Sequence, residues 1–197
     1  MQRYVPRLIP AGSAPAGALV EAVIEHPPAS PHGEHLLVPQ VAWMMEVDGD
    51  GDGDGFVHAP AAQRGDLELM RGLAQLATLD GELANEVLDG LPGVSLATNG
   101  RYAAELLLDR DHLSALHDML GARLYLAGAP RRGRLLVGGV GGGMEALRAF
   151  VATVRREHDE APDDARISPV TLLVRGGAPT AVVGDLQLAA LASALGR

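Results

Sequence analysis

Two incompatible hydrophobic rhythms run through this chain. In LLVPQVAWMMEVD, Val41, Trp43, Met45 and Val47 alternate with Ala42, Met44 and Glu46, the two-residue period of a strand with one face more deeply buried. From about Met144 to His158, by contrast, Met144, Leu147, Val151 and Val154, with Phe150 beside them, recur at helical spacing and form one apolar stripe. A strand cannot gather the second set on one face, nor a helix the first. The chain therefore builds both elements.

Their order sets the architecture. Val5 to Pro10 reads as a short strand, AGALVEAVIEH is open between helix and strand, and PPASPHGEH is a turn-rich loop. Pro39 marks the start of the next strand or a sheet edge, and GFVHAP reads as its return, which makes the acidic stretch between them a hairpin loop. Leu69, Met70, Leu73, Leu76 and Ala77 then predict a helix capped by Asp66, and GELANEVLDG a second capped by Asp80 and presenting Leu83, Val87 and Leu88. Asn99-Gly100 between VSLAT and RYAAELLLD predicts a two-residue type I′ hairpin, in which both central residues need positive φ. Beyond it come a helix DHLSALHDML capped by Asp111, strands ARLYLAG and RLLVGGV around APRRG, and the long helix. A strand pair in SPVTLLVRG and PTAVVGD follows, with a final helix capped by Asp185. Hairpins interleaved with helices predict an α+β fold with mainly antiparallel sheet. Residues 1–62 form a β-rich segment carrying the acidic loop, and residues 63–197 an α+β region packed with it as one domain.

Composition removes whole classes of chemistry. Cysteine is absent, which excludes disulfides, thiolate metal sites and thiol catalysis and fits a reducing cytoplasm. The sixteen basic residues are all arginine, so Schiff-base lysine and P-loop phosphate chemistry are excluded too. A formal net charge of -9 opposes nucleic acid, and six aromatic rings leave few platforms for stacking bases. MQRYVPRLIP has no apolar run of the length that a signal peptide or membrane span requires. The expectation is a cytoplasmic protein with no nucleic-acid or membrane partner.

From Leu67 to Val183 the order of pieces carries a likeness: a segment ending LDGLPG, then TNGRYAAELLLD, then DHLSALHDMLGARLYLAGAPRRGRLLVGG, a helix ending REHDEAP, and ISPVTLLVR. This resembles the YtpQ-like bacterial family of unknown function, whose members place a Gly-Tyr-containing turn before a leucine-rich segment, then a helix, a strand pair and a long helix. The resemblance implies an α+β fold and an intracellular bacterial protein. It implies no catalytic residues.

The loudest chemical signal is EVDGDGDGDGFVHAP, in which Asp48, Asp50, Asp52 and Asp54 alternate with glycine. From Asp50 it matches a calcium loop at ligand positions one, three and five, with the turn glycine Gly55 and the apolar Val57. Position twelve, where a bidentate glutamate closes the coordination sphere, is Ala61, and strand patterns flank the loop. Weak millimolar calcium binding by these four aspartates stands against a solvated hairpin tip, whose alternating glycines make ordering costly.

Other candidates fall short of a motif. GGVGGGMEALR lies between strand and helix like a phosphate cradle, but Met144 occupies the third glycine position and Glu145 would repel a phosphate. His112 and His117 are five apart and point to different helix faces, and His32 and His35 lie three apart in a loop. Asp163 and Asp164 form a carboxylate pair in a polar turn. Ser13, Ser30, Ser95, Ser114, Ser168 and Ser193 include no G-x-S-x-G elbow. Arg131, Arg132 and Arg134 cluster at a hairpin tip, where they hold an acidic partner or keep the tip soluble. The resulting expectation is a non-catalytic module that binds another protein or itself, with a calcium-responsive module and an enzyme of unrecognised site as alternatives.

Overall fold

The computed structural model describes residues 4–24, 33–46, 56–61, 72–73, 83–91, 93–184, 188–191 and 193. Within them the fold is α+β and every strand pairing is antiparallel. The strands are β1 (Tyr4–Ile9), β2 (Val20–Ala22), β3 (Gln40–Glu46), β4 (Phe56–His58), β5 (Ala84–Val87), β6 (Ser95–Asn99), β7 (Leu124–Arg131), β8 (Arg134–Gly139), β9 (Leu172–Arg175) and β10 (Ala178–Val182). Two long helices pack on the sheets, α1 (Arg110–Leu120) and α2 (Gly143–Asp159).

A small sheet centres on β3, which pairs with β1 on one side and with β2 and β4 on the other. Pro39 stands immediately before β3, as expected of a residue that cannot donate to a ladder. Glu46 pairs with Phe56, so the two ends of the acidic stretch are brought together by an antiparallel pair. The larger sheet has six strands in the order β10-β9-β7-β8-β6-β5. Its alternation sorts side chains cleanly. Leu126 and Leu136 face α2, while Tyr125, Ala127, Leu135 and Val137 join a core shared with α1 and the small sheet through Leu113, Leu116, Leu8 and Trp43.

Long helix α2 lies unusually close to its sheet. A Cβ at Gly138 would sit 2.6 Å from the Phe150 ring and one at Gly128 would sit 2.7 Å from Val154, so these two glycines make the groove that the helix fills. Packing thereby accounts for Gly138 at the strand end. The stripe read from the sequence is the buried one, with Leu147, Phe150, Val151 and Val154 inside and Met144 half-buried.

Several expectations are corrected. GELANEVLDG is not helical at its centre: Ala84 to Val87 form edge strand β5, pairing with β6. Ladder bonds to β6 override its helical propensity, a tertiary effect on a short segment. Asn99-Gly100 does not turn one strand into another. Strand β6 already has β5 and β8 on its two sides, so RYAAELLLD has no ladder position and crosses the core as a turn and a 3-10 segment, Ala104–Leu108, with Leu106 and Leu107 buried. Asp109, not Asp111, caps α1, accepting from the backbone N–H groups of Asp111 and His112 at 2.9 and 3.0 Å. The open segment AGALVEAVIEH contributes β2, and the strand of ARLYLAG runs on through Arg131. Of the helix expected from Gly65, Gly72 and Leu73 are described and are helical; Asp66, Asp80 and Asp185 lie outside the described residues.

Candidate anion-binding cleft

One end of the large sheet gathers cations that lie far apart in sequence. Helix α1 ends at Gly121, whose left-handed backbone (φ 62) lets Ala122 N–H close back on the His117 carbonyl at 3.1 Å. That reversal delivers Arg123 directly to the start of β7. Leu124 is the ladder partner of Arg175, so Arg123 and Arg175 come to the same end of neighbouring strands. After Arg175 the chain reverses through Gly176 and Gly177, both at positive φ. Gly177 is obligatory on two counts: its φ is 75°, and a Cβ there would strike the Ser114 hydroxyl and lie 2.8 Å from the Arg110 carbonyl. The β9–β10 turn is thus seated on the first half of α1.

The Tyr125 hydroxyl fixes the same helix to β7 by donating to the Leu113 carbonyl at 2.7 Å, and burial raises the phenol pKa. His117 packs edge-on against that ring, with centroids 5.4 Å apart. At this end of the sheet opens a cleft of about 800 Å³, lined by His117, Arg123, Arg175 and Thr180 over the apolar Leu124 and Leu173. Among the described residues no carboxylate lines it, and neither Arg123 nor Arg175 is ion paired. His117 Nε2 is buried without a hydrogen-bond partner. In a chain with a formal charge of -9, two guanidiniums lining one cleft with no counter-charge among the described residues form a local field that favours an anion.

A second cleft of about 550 Å³ runs along α2, where Arg148, Arg155 and Arg156 flank Val151 and Leu188. Asp159 and Glu160 also line it, so its charge is mixed.

Glu105 and His112, two of the titratable groups shifted by burial, line neither of these clefts. Glu105 is 1% exposed; burial pushes its carboxyl above the ordinary range and outweighs the opposing pull of Arg7. Its Oε1 accepts from Arg7 Nε at 3.1 Å and from the backbone N–H of Leu8 at 3.2 Å, while Oε2 has no partner. Burial lowers the His112 pKa, opposed by Asp109, and its Nε2 is likewise unpartnered.

The remaining candidates are placed as follows. Asp48, Asp50, Asp52 and Asp54 lie outside the described residues, as does His32. Among the described residues no group of three or more His, Asp and Glu is arranged to hold a metal. Arg134, expected at an exposed tip, is 8% exposed and bonds bidentately to Glu157 at 2.9 Å and to Glu86 at 2.7 Å. Its acidic partners are internal. Asp163 pairs with Arg166 at 2.9 Å on the surface, and the Ser168 hydroxyl donates to the Leu37 carbonyl at 2.6 Å. Gly142 and Gly143 open α2 with no side-chain cap. Arg123, Arg175, Thr180 and Glu105 were not singled out by the sequence, because isolated residues beside strands form no local pattern; the unmatched cations become visible only in the register of β7 on β9.

No protein-family model, curated protein or solved structure matches the chain. What identifies a site here is geometry alone: a cation-lined cleft fixed by a helix end, a ladder register and a glycine turn.

Proposed function

We propose that the chain is a non-catalytic binding module that docks an acidic segment of a partner protein in the cleft lined by His117, Arg123 and Arg175. The observation that carries this reading is the juxtaposition of Arg123 and Arg175 without a lining carboxylate. Guanidinium forks match carboxylates bidentately, and Leu124 and Leu173 give the partner's aliphatic stems a floor. Exposed ion pairs contribute about 0.2–1 kcal/mol each, so docking on two arginines is weak, roughly millimolar or weaker, and sensitive to salt. The non-catalytic half of the reading is supported by the location of Glu105 and His112, the perturbed acid and base, away from both clefts. Membership of the YtpQ-like bacterial family and a cytoplasmic location belong to the same proposal; the order α1, β7, β8, α2 supports the first and the absence of cysteine the second. No described helix is long and apolar enough to cross a membrane.

Thermophoresis of a labelled oligoglutamate peptide tests the proposal. Binding at about 0.05 M salt that is lost in the Arg123→Glu/Arg175→Glu variant is the expected result. Equal affinity for the two proteins would refute it.

A second reading, weak calcium binding by Asp48, Asp50, Asp52 and Asp54, is favoured by the Glu46–Phe56 pairing that brings the ends of that stretch together. A thermal melt at millimolar calcium tests it, since a ligand of the native state raises the midpoint.

A further inference from the structure

We infer that a second copy of this chain supplies an acidic segment to the cleft: the run Glu46 to Gly55 of one molecule docks against Arg123 and Arg175 of another. The inference rests on the binding reading above and names its partner. Two features of one sequence are complementary in charge. The run carries Glu46, Asp48, Asp50, Asp52 and Asp54 with no cation among them, and the cleft carries two guanidiniums and an imidazole with no lining acid among the described residues.

Arg123 stands immediately before β7, and Arg175 ends β9 as the ladder partner of Leu124, so both cations line one cleft. The intervening glycines add no side chain between the peptide and the cleft floor of Leu124 and Leu173. The alternative cleft on α2 fits this ligand less well, because Asp159 and Glu160 would face the run. Donor and acceptor surfaces differ, so the contact is heterologous; it closes as a reciprocal dimer only if both run–cleft pairs form together.

Sedimentation velocity over a concentration series, at about 0.05 M and about 0.3 M salt, is the test, with oligoglutamate binding measured in parallel. Wild-type protein should self-associate at low salt only, and a synthetic peptide of residues 46–55 should compete. Arg123→Glu/Arg175→Glu and Asp50→Arg/Asp52→Arg should each weaken association by about tenfold or more, equivalent to about 1.4 kcal/mol. Mixing the two variants should restore it, because each then offers the other an opposite charge. Arg123→Gln/Arg175→Gln gives a milder loss and serves if the reversal variant is unstable. Three results would overturn the inference. If oligoglutamate binds through the arginines while the chain stays monomeric and the 46–55 peptide does not bind, the cleft reading stands and the second copy is wrong. If removing the aspartates tightens oligoglutamate binding in a monomer, the run occupies its own cleft. If neither peptide binds, both proposals fall.

Discussion

Replacing Glu105 by leucine should cost the fold a large fraction of its stability. Leu8 N–H points away from β3, out of the edge strand β1, and Glu105 Oε1 is its acceptor; the same oxygen neutralises Arg7, which is 12% exposed. Leucine keeps the volume but leaves a buried N–H unsatisfied and a nearly buried cation without its carboxylate. Removing one partner of a buried ion pair costs about 3–5 kcal/mol, and the orphaned N–H, about 1–3 kcal/mol alone, is already part of that loss. Arg7 still lies 5.0 Å from the Tyr102 ring centroid, which favours the lower end. In a chain of this length, about 3 kcal/mol lowers the Tm by about 6–12 °C. Urea denaturation followed by two probes gives the free energy and checks that unfolding is two-state. The Arg7→Met/Glu105→Leu pair removes the stranded charge as well, and should recover all but about 1–3 kcal/mol, the cost of the bare N–H. A single variant within about 1 kcal/mol of wild type, or a double variant no better than the single, would refute the clamp. Glu105→Gln adds a pH signature. Because the folded carboxyl pKa is raised, the native state holds a proton that the unfolded chain has shed; the stability from this group is full below pH 4.5 and is lost as the pH climbs through the raised value. Glutamine cannot titrate, so that slope should disappear.

Other consequences are as direct. His112 has a lowered pKa, so the unfolded state gains its proton first, and stability should decline as the pH falls below 6.5; in His112→Leu, monitored by urea midpoints across pH, that decline should flatten. Gly177→Val meets both positive φ and the Ser114 and Arg110 wall, and should cost about 2–5 kcal/mol by denaturation. Arg134→Met strands Glu157, which is 15% exposed, and should cost about 3 kcal/mol, relieved by adding Glu157→Gln.

What the sequence disclosed was whatever is written in local period. The strand through Trp43 and the stripe of α2 follow from hydrophobic period, and the two late hairpins from apolar runs broken by short turns. Failures came where partners decide. Val87 and Leu88 sit at helical spacing, but the free side of β6 converts their neighbourhood to an edge strand; Asn99-Gly100 has hairpin residues, yet both flanks of β6 are occupied. Arg134 reads as a surface charge until Glu86 and Glu157 arrive from β5 and α2, 48 and 23 residues away. The cleft was illegible for the same reason: Arg123 and Arg175 become neighbours only through a ladder closed across fifty-odd residues of chain, whereas the Asp-Gly run is conspicuous because its pattern is local.

Chemical-shift mapping of the isotope-labelled chain with an oligoglutamate peptide tests the binding account at its root, because arginine Nε–H signals report each guanidinium separately. The account predicts saturable shifts at Arg123 and Arg175, with His117 and Thr180 following and Arg148, Arg155 and Arg156 unmoved. Shifts centred on α2 instead, or none at millimolar peptide, would contradict it.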